Sequence, residues 1–168
     1  MRYEDAMREA MGLARRAAAL GDVPVGAVLL DAGGAVIGRG ANRRERCADP
    51  LAHAEVEALR DAAQSRGTRS MDTDSALSSG NRAAPWNLSG CTLVVTLEPC
   101  PMCAGAALQT HIDAIVFGAW DPKMGACGSV WDIARDPHVG HHPQVMGGVC
   151  EVECTALLSD FFATRRTT

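Results

Sequence analysis

The run Cys91–Leu97 constrains the fold more than any other part of the chain. Thr92, Leu93, Val94, Val95 and Thr96 are the length of a strand and lack the polar alternation of a sheet that is wet on one face. Such a buried-type strand has to be covered by other elements. Glu98-Pro99 ends it, and Pro101 suits the first turn of a helix that continues to about Thr110.

The chain alternates around this unit. Residues 2–20 predict an amphipathic helix, with Ala6, Ala10, Leu13, Ala17 and Leu20 at steps of four and three and Gly21 as its stop. Val25–Asp31 and Val36–Gly40, joined by a Gly33-Gly34 turn, read as a β-hairpin. Asp49 as a cap and Pro50 in the first turn open a helix through His53, Val56, Ala58 and Leu59 to about Ala63. Asp113–Ala119 is a further strand. The Gly-rich stretch Asp121–Ser129 leads into a short helical piece at Val130–Arg135, then a strand at Val145–Glu151 and a helix at Cys154–Arg165. The order α-β-β-α-β-α-β-α-β-α predicts an α/β fold, a three-layer α/β/α sandwich around a mixed sheet of about five strands. Residues 64–90, with six serines, three glycines and no period, read as a flexible loop insertion whose end Trp86 pins to the body. The 168 residues suit one domain spanning 1–168.

Composition narrows the setting. Hydrophobic residues make up 47% and charged ones 21%, and no apolar run approaches the ~18 residues of a membrane span. Met1–Asp5 lacks the order of a secretory leader, so the expected location is cytoplasmic. Seven cysteines cannot all pair within the chain, and in a reducing compartment the close pair Cys100 and Cys103 points to metal binding or redox chemistry. Cys47, Cys91 and Cys127 carry no motif, and Cys150 and Cys154 read as buried small apolar residues. A net charge of −4 argues against coating nucleic acid by bulk electrostatics. It leaves room for a local basic surface at Arg39, Arg43, Arg44 and Arg46, opposed in the sequence only by Glu45; the plain alternative is a solvated loop.

Two segments carry the chemistry: His53-Ala54-Glu55, and Pro99-Cys100-Pro101-Met102-Cys103, each at the predicted start of a helix. Cys100 and Cys103 lie three apart across a first turn, so their sulfurs can converge, and a helix N-terminus favours thiolate. Two soft thiolates with an imidazole suit zinc, and three protein ligands leave a tetrahedral position open, the mark of a catalytic site. Positions i and i+2 of a helix do not face each other, so Glu55 fits a proton shuttle beside the metal, not a ligand. The Cys-x-x-Cys alone also fits a thioredoxin-type redox pair or a structural zinc site. His-x-Glu followed by Pro-Cys-x-x-Cys is the signature of zinc deaminases of nucleobases.

Beyond that signature the chain resembles the bacterial tRNA-specific adenosine deaminases over nearly its whole length. The resemblance is carried by Val23–Val28, Asp49–Glu55, Thr96–Ala106, Val116–Ala119, Asp121–Lys123, Gly125–Ser129 and Leu157–Phe162. It implies a cytidine-deaminase-like fold, a homodimer and one Zn²⁺ per chain held by His53, Cys100 and Cys103, with Glu55 as proton donor and acceptor. The implied reaction converts adenosine to inosine at the wobble position of a tRNA anticodon, expected in an arginine tRNA. Asn42 and Val25 fall where the family holds the target base. Asp121, Lys123, Phe161 and Arg165, within a tail reaching Arg166, fall where it contacts the anticodon stem-loop. Neither DNA nor a membrane is an implied partner. Trp120, Gln109 and His111 depart from the family pattern. The nearest rival is a deaminase of free cytosine, cytidine or guanine with the same zinc chemistry.

Overall fold

The computed structural model of the chain describes residues 3–71 and 84–165. Its elements are α1 (Tyr3–Ala19), β1 (Gly26–Leu30), β2 (Val36–Ala41), α2 (Arg44–Cys47), α3 (Ala54–Met71), β3 (Thr92–Leu97), α4 (Pro101–Gln109), β4 (Ala114–Ala119), β5 (Gln144–Met146) and α5 (Glu151–Arg165). The strands form one mixed sheet in the order β2-β1-β3-β4-β5. The β1–β2 and β1–β3 pairs are antiparallel, and β3–β4 and β4–β5 are parallel.

Because successive strand side chains point to opposite faces, the apolar central strands feed two cores. Ala27, Leu29, Leu93, Val95, Ile115 and Phe117 face one way and pack with Ala54, Ala58 and Ala62 of α3 and Ala104 and Ala107 of α4. Val28, Leu30, Val94 and Val116 face the other way and meet Ala6, Met7 and Ala10 of α1 and Cys154 of α5. Helices therefore cover both faces, giving the expected α/β/α sandwich.

Several boundaries differ from the sequence expectation. The third helix begins at Ala54, not at Pro50, because Asp49 closes a local turn instead: its Oδ1 accepts the Leu51 N–H at 2.9 Å. The helical ladder starts when the His53 carbonyl accepts the Glu57 N–H at 3.0 Å, which makes His53 the cap. At its far end α3 runs to Met71, into the segment expected to be loop from residue 64. That extension lets Arg66 donate to the Asn87 carbonyl at 2.8 Å and to Cys91 Sγ at 3.1 Å. Residues 72–83, the middle of the expected loop, lie outside the described residues. Its end is anchored by fully buried Leu88; Trp86 stays half exposed and tilts against His111. The strand expected at Val145–Glu151 is three residues long and ends at Met146, with α5 starting at Glu151, ahead of Cys154. The helical piece after the Gly-rich stretch is one 3-10 turn, Ile133–Arg135. Cys154 is buried as expected, whereas Cys150 is only partly so.

Close packing fixes where α3 begins. A Cβ on Gly40 of β2 would lie 2.0 Å from the Ala54 carbonyl oxygen and 2.5 Å from the Ala58 nitrogen, both rigid backbone. Gly40→Ala therefore has to push the N-terminal turn of α3 off the sheet. A loss of about 1–3 kcal/mol in denaturant unfolding is expected, with weakened zinc retention because His53 caps that turn. An unchanged unfolding midpoint would contradict this packing.

Candidate active site

One rim of the sheet gathers the chemistry. Val25 precedes β1, Asn42 follows β2, Cys100 follows β3 and Asp121 follows β4, and α3 and α4 both begin there. Cys100 is the N-cap of α4 with an extended backbone, Pro101 occupies the first turn, and the Cys100 carbonyl accepts the Ala104 N–H at 2.9 Å. Cys103 sits in the same first turn and is fully buried. Two helix N-termini thus point at one place, where their dipoles favour negative charge.

His53 Nδ1 lies 3.8 Å from Cys100 Sγ and 3.5 Å from Cys103 Sγ. These three residues are the group of His, Cys, Asp or Glu ligand atoms able to share a metal ion among the described residues. The donor set passes a geometric test for zinc. With Zn–S of about 2.3 Å and Zn–N of about 2.05 Å, a tetrahedral angle sets N and S about 3.6 Å apart, between the two observed separations. In the chain's own electrostatics Cys100 is pulled down to about 4, chiefly by the hydrogen bond from Cys103 and also by His53. Cys103 is pushed up by donating that bond. His53 is raised above its ordinary value, first by its hydrogen bond to Cys100.

Glu55 is buried beside the three ligand atoms but does not join them. Burial is the main cause that raises its carboxyl to about 7. A carboxyl held there gives and takes protons at neutral pH. The local geometry differs from the one the sequence suggested: His53 lies outside the helix at its cap, and Glu55 is in the first turn.

A cavity of about 320 Å³ opens onto this group, with Val25, Asn42, His53, Glu55, Cys100 and Asp121 among its walls. Asn42 is nearly buried and its amide is oriented: Nδ2 donates to the Val23 carbonyl at 3.2 Å and Oδ1 accepts the Arg44 N–H at 3.2 Å. Lys123, Phe161 and Arg165 do not line the cavity. Lys123 is exposed on the Asp121 loop, where its N–H bonds Asp121 Oδ1 at 2.9 Å. Phe161 is half-buried against exposed Phe162, and the Arg165 guanidinium lies 4.2 Å over the Phe161 ring. Arg165 also donates to the Gly21 carbonyl, which ties the end of α5 to the loop that leads to Val23 and Val25. Arg166 lies outside the described residues.

The arginine loop is less basic than its sequence. Arg39 pairs with Glu9 at 2.7 Å, Arg43 with Glu57, Arg44 with Glu45 at 3.7 Å, and Arg46 with Asp22 at 3.6 Å. Asp22 was not anticipated. It is fully buried, and its Oδ1 accepts the N–H groups of Glu45 and Arg46, which fixes the short helix α2 at the cavity mouth. Val23, Leu97, Glu98 and Met124 also line the cavity without having been singled out from spacing. Cys127 lies behind the site in the core, and burial pushes its thiol up to about 12.

Comparison with known proteins agrees with this geometry. Residues 1–119 match the family model for the cytidine and deoxycytidylate deaminase zinc-binding region. The chain is 39% identical over 160 residues to a tRNA-specific adenosine deaminase of Bacillus subtilis, covering 95% of this chain and 88% of that one. It is 46% identical over 163 residues to a tRNA(Ile)-lysidine synthase of Deinococcus deserti, covering 97% of this chain but only 27% of that longer protein. A second Deinococcus relative of that name is likewise matched over 25% of its length, so the chain spans about a quarter of these relatives. Among solved structures, a tRNA:A34 deaminase studied for A-to-I editing at the wobble position superposes with a TM-score of 0.76 at 35% identity, covering 92% of this chain and 99% of that one. A guanine deaminase of Nitrosomonas europaea superposes at 0.69 with 26% identity, covering 95% and 84%.

Proposed function

The chain belongs to the cytidine and deoxycytidylate deaminase family, among its tRNA-specific adenosine deaminases, and we propose that it hydrolyses adenosine to inosine at the wobble position of a tRNA anticodon, with an arginine tRNA as substrate. The observation that carries the deaminase chemistry is the juxtaposition of His53 Nδ1 and the two sulfurs with the buried carboxyl of Glu55. The tRNA substrate is supported by relatives of that name.

In this reading His53, Cys100 and Cys103 hold one zinc ion, whose Lewis acidity makes water a nucleophile near neutral pH. Glu55 takes one proton from the attacking water and delivers it to the adenine N1 as the C6–O bond forms. It then takes the remaining proton from the C6–OH and gives it to the amine as the C6–N bond breaks, so that C6–NH₂ becomes C6=O and ammonia leaves. The cavity admits a base only after it is splayed out of the anticodon loop, where bases are already partly unstacked. Asn42, locked by Val23 and Arg44, presents its remaining amide hydrogen and carbonyl lone pair, the pairing that suits the N6/N7 edge of adenine. Val25 packs against the ring and Asp121 borders it. Lys123, Phe161 and Arg165 contact the flanking RNA from outside the cavity. A homodimer belongs to the same proposal, with Met124, Val130 and Trp131 offering apolar surface on one loop. Among the described residues no helix is long and apolar enough to cross a membrane.

The test compares an anticodon stem-loop carrying adenosine at the wobble position with free adenosine, cytidine, cytosine and guanine. The stem-loop is expected to be turned over efficiently and the free compounds poorly, because stacking of splayed bases adds ~1–3 kcal/mol per base that a free base lacks. Each phosphate contact on single-stranded RNA contributes a slope of about −0.7 to log K against log salt, so the seven basic side chains Arg39, Arg43, Arg44, Arg46, Lys123, Arg165 and Arg166 together would give about −5. With Arg39, Arg43, Arg44 and Arg46 already ion-paired, a slope shallower than about −2 is expected. Turnover of free guanine with the stem-loop untouched would replace the tRNA reading by the free-base one, the reading that the likeness to the Nitrosomonas europaea guanine deaminase favours.

A further inference from the structure

Glu98 is buried at the end of β3, one residue before Pro99-Cys100, and lines the cavity with Cys100, Asp121 and Met124. Its carboxylate is used on backbone: Oε1 accepts the N–H groups of Cys127 and Ser129, each at 3.0 Å, and Oε2 accepts that of Asp121 at 3.1 Å. These bonds come from both ends of the Asp121–Ser129 loop, so one side chain closes the loop on itself. Ser129 Oγ adds a bond to the Asp121 carbonyl at 2.7 Å, and the Ala126 N–H bonds the Pro99 carbonyl at 2.8 Å, which ties the loop to the strand end that carries Cys100. Gly125 completes the fit: a Cβ there would lie 2.2 Å from Glu98 Oε2 and 2.1 Å from Ser129 Oγ.

We infer that Glu98 is a positioning residue for the substrate. It holds the Asp121–Met124 wall of the cavity at a fixed distance from Cys100 and so sets where the target base rests relative to Glu55. The identity of that substrate rests on the proposed function. An acceptor-only group is required, because all three partners are donors in a buried site. A glutamine there would aim an NH₂ at one of them, and an aspartate is one methylene too short to reach both ends of the loop.

The inference is tested on the zinc-loaded protein with Glu98→Gln. The Asp121, Cys127 and Ser129 amides should exchange faster than in the natural chain while those of Val95 and Ala104 hold. KM for the stem-loop should rise about tenfold with kcat within about threefold, the pattern of lost ground-state and transition-state binding alike. Loss of zinc, a fall in kcat at unchanged KM, or unchanged KM would each overturn it. If Glu98→Gln does not fold, Glu98→Asp decides, since it keeps the acceptors but is one methylene too short for both ends of the loop: KM raised by about threefold supports the inference, and an unchanged KM overturns it. If the natural chain leaves the stem-loop untouched, the functional reading fails on its own, and the amide exchange still decides, since unchanged loop exchange in Glu98→Gln would contradict the positioning role.

Discussion

Glu55→Gln should retain one zinc per chain and the native fold while losing ~10²–10⁴-fold or more of its deamination rate. The substitution preserves the shape of a side chain that packs in the first turn of α3, and it leaves His53 Nδ1, Cys100 Sγ and Cys103 Sγ in place. Only the carboxyl raised to about 7 is removed, and with it the group that in the proposed mechanism serves both the protonation of the ring and the departure of the amine. Because one residue serves several transfers, the effect should lie at the upper end of that range or beyond it. Zinc content by metal analysis and turnover of the stem-loop are the two readouts. A variant that lost its zinc would make Glu55 a ligand or a structural prop.

Cys100→Ala and Cys103→Ala should each abolish stoichiometric zinc, whereas Cys154→Ala should keep it. Structural zinc binding amounts to ~10–16 kcal/mol, so losing one of three ligands should cost roughly a third of it, ~3–5 kcal/mol or about 10²–10⁴-fold in affinity, and the ion should be lost on dialysis against a chelator. No spare thiolate can take over: Cys127 is buried and pushed up to about 12. Cys154 lies in the core on the opposite sheet face, its sulfur against Gly118 and its thiol pushed to about 12 by burial. Its removal should cost stability through lost packing and nothing in metal content. Full zinc in both motif variants would place the metal elsewhere.

The parts of this protein that could be read from sequence are those governed by local rules. Short continuous apolar runs without polar alternation made β3 and β4 identifiable as strands buried on both faces, and a Cys-x-x-Cys at a helix start located two sulfurs without any tertiary knowledge. The rest was lost where a distant partner or a competing local contact decides. Asp49 has the chemistry of a helix cap, yet its carboxylate finds Leu51 first and the helix opens at Ala54. The run Arg39 to Arg46 looks basic because Glu9, Glu57 and Asp22, which face it in the fold, are far away in the chain. Glu98 passed as the residue that ends a strand, since nothing in its neighbours reveals the three N–H groups it collects from residues 121–129. The family resemblance named Lys123, Phe161 and Arg165 but could not show that they stand outside the cavity.

The central claim is that the zinc site acts on a wobble adenosine within a tRNA. Inosine mapping of total tRNA after incubation with the purified, zinc-loaded protein tests it most directly. The account predicts inosine at the wobble position of an arginine tRNA, dependent on Glu55 and lost with Cys100→Ala. Total tRNA without new inosine, from a preparation that deaminates a free base or nucleoside, would contradict it.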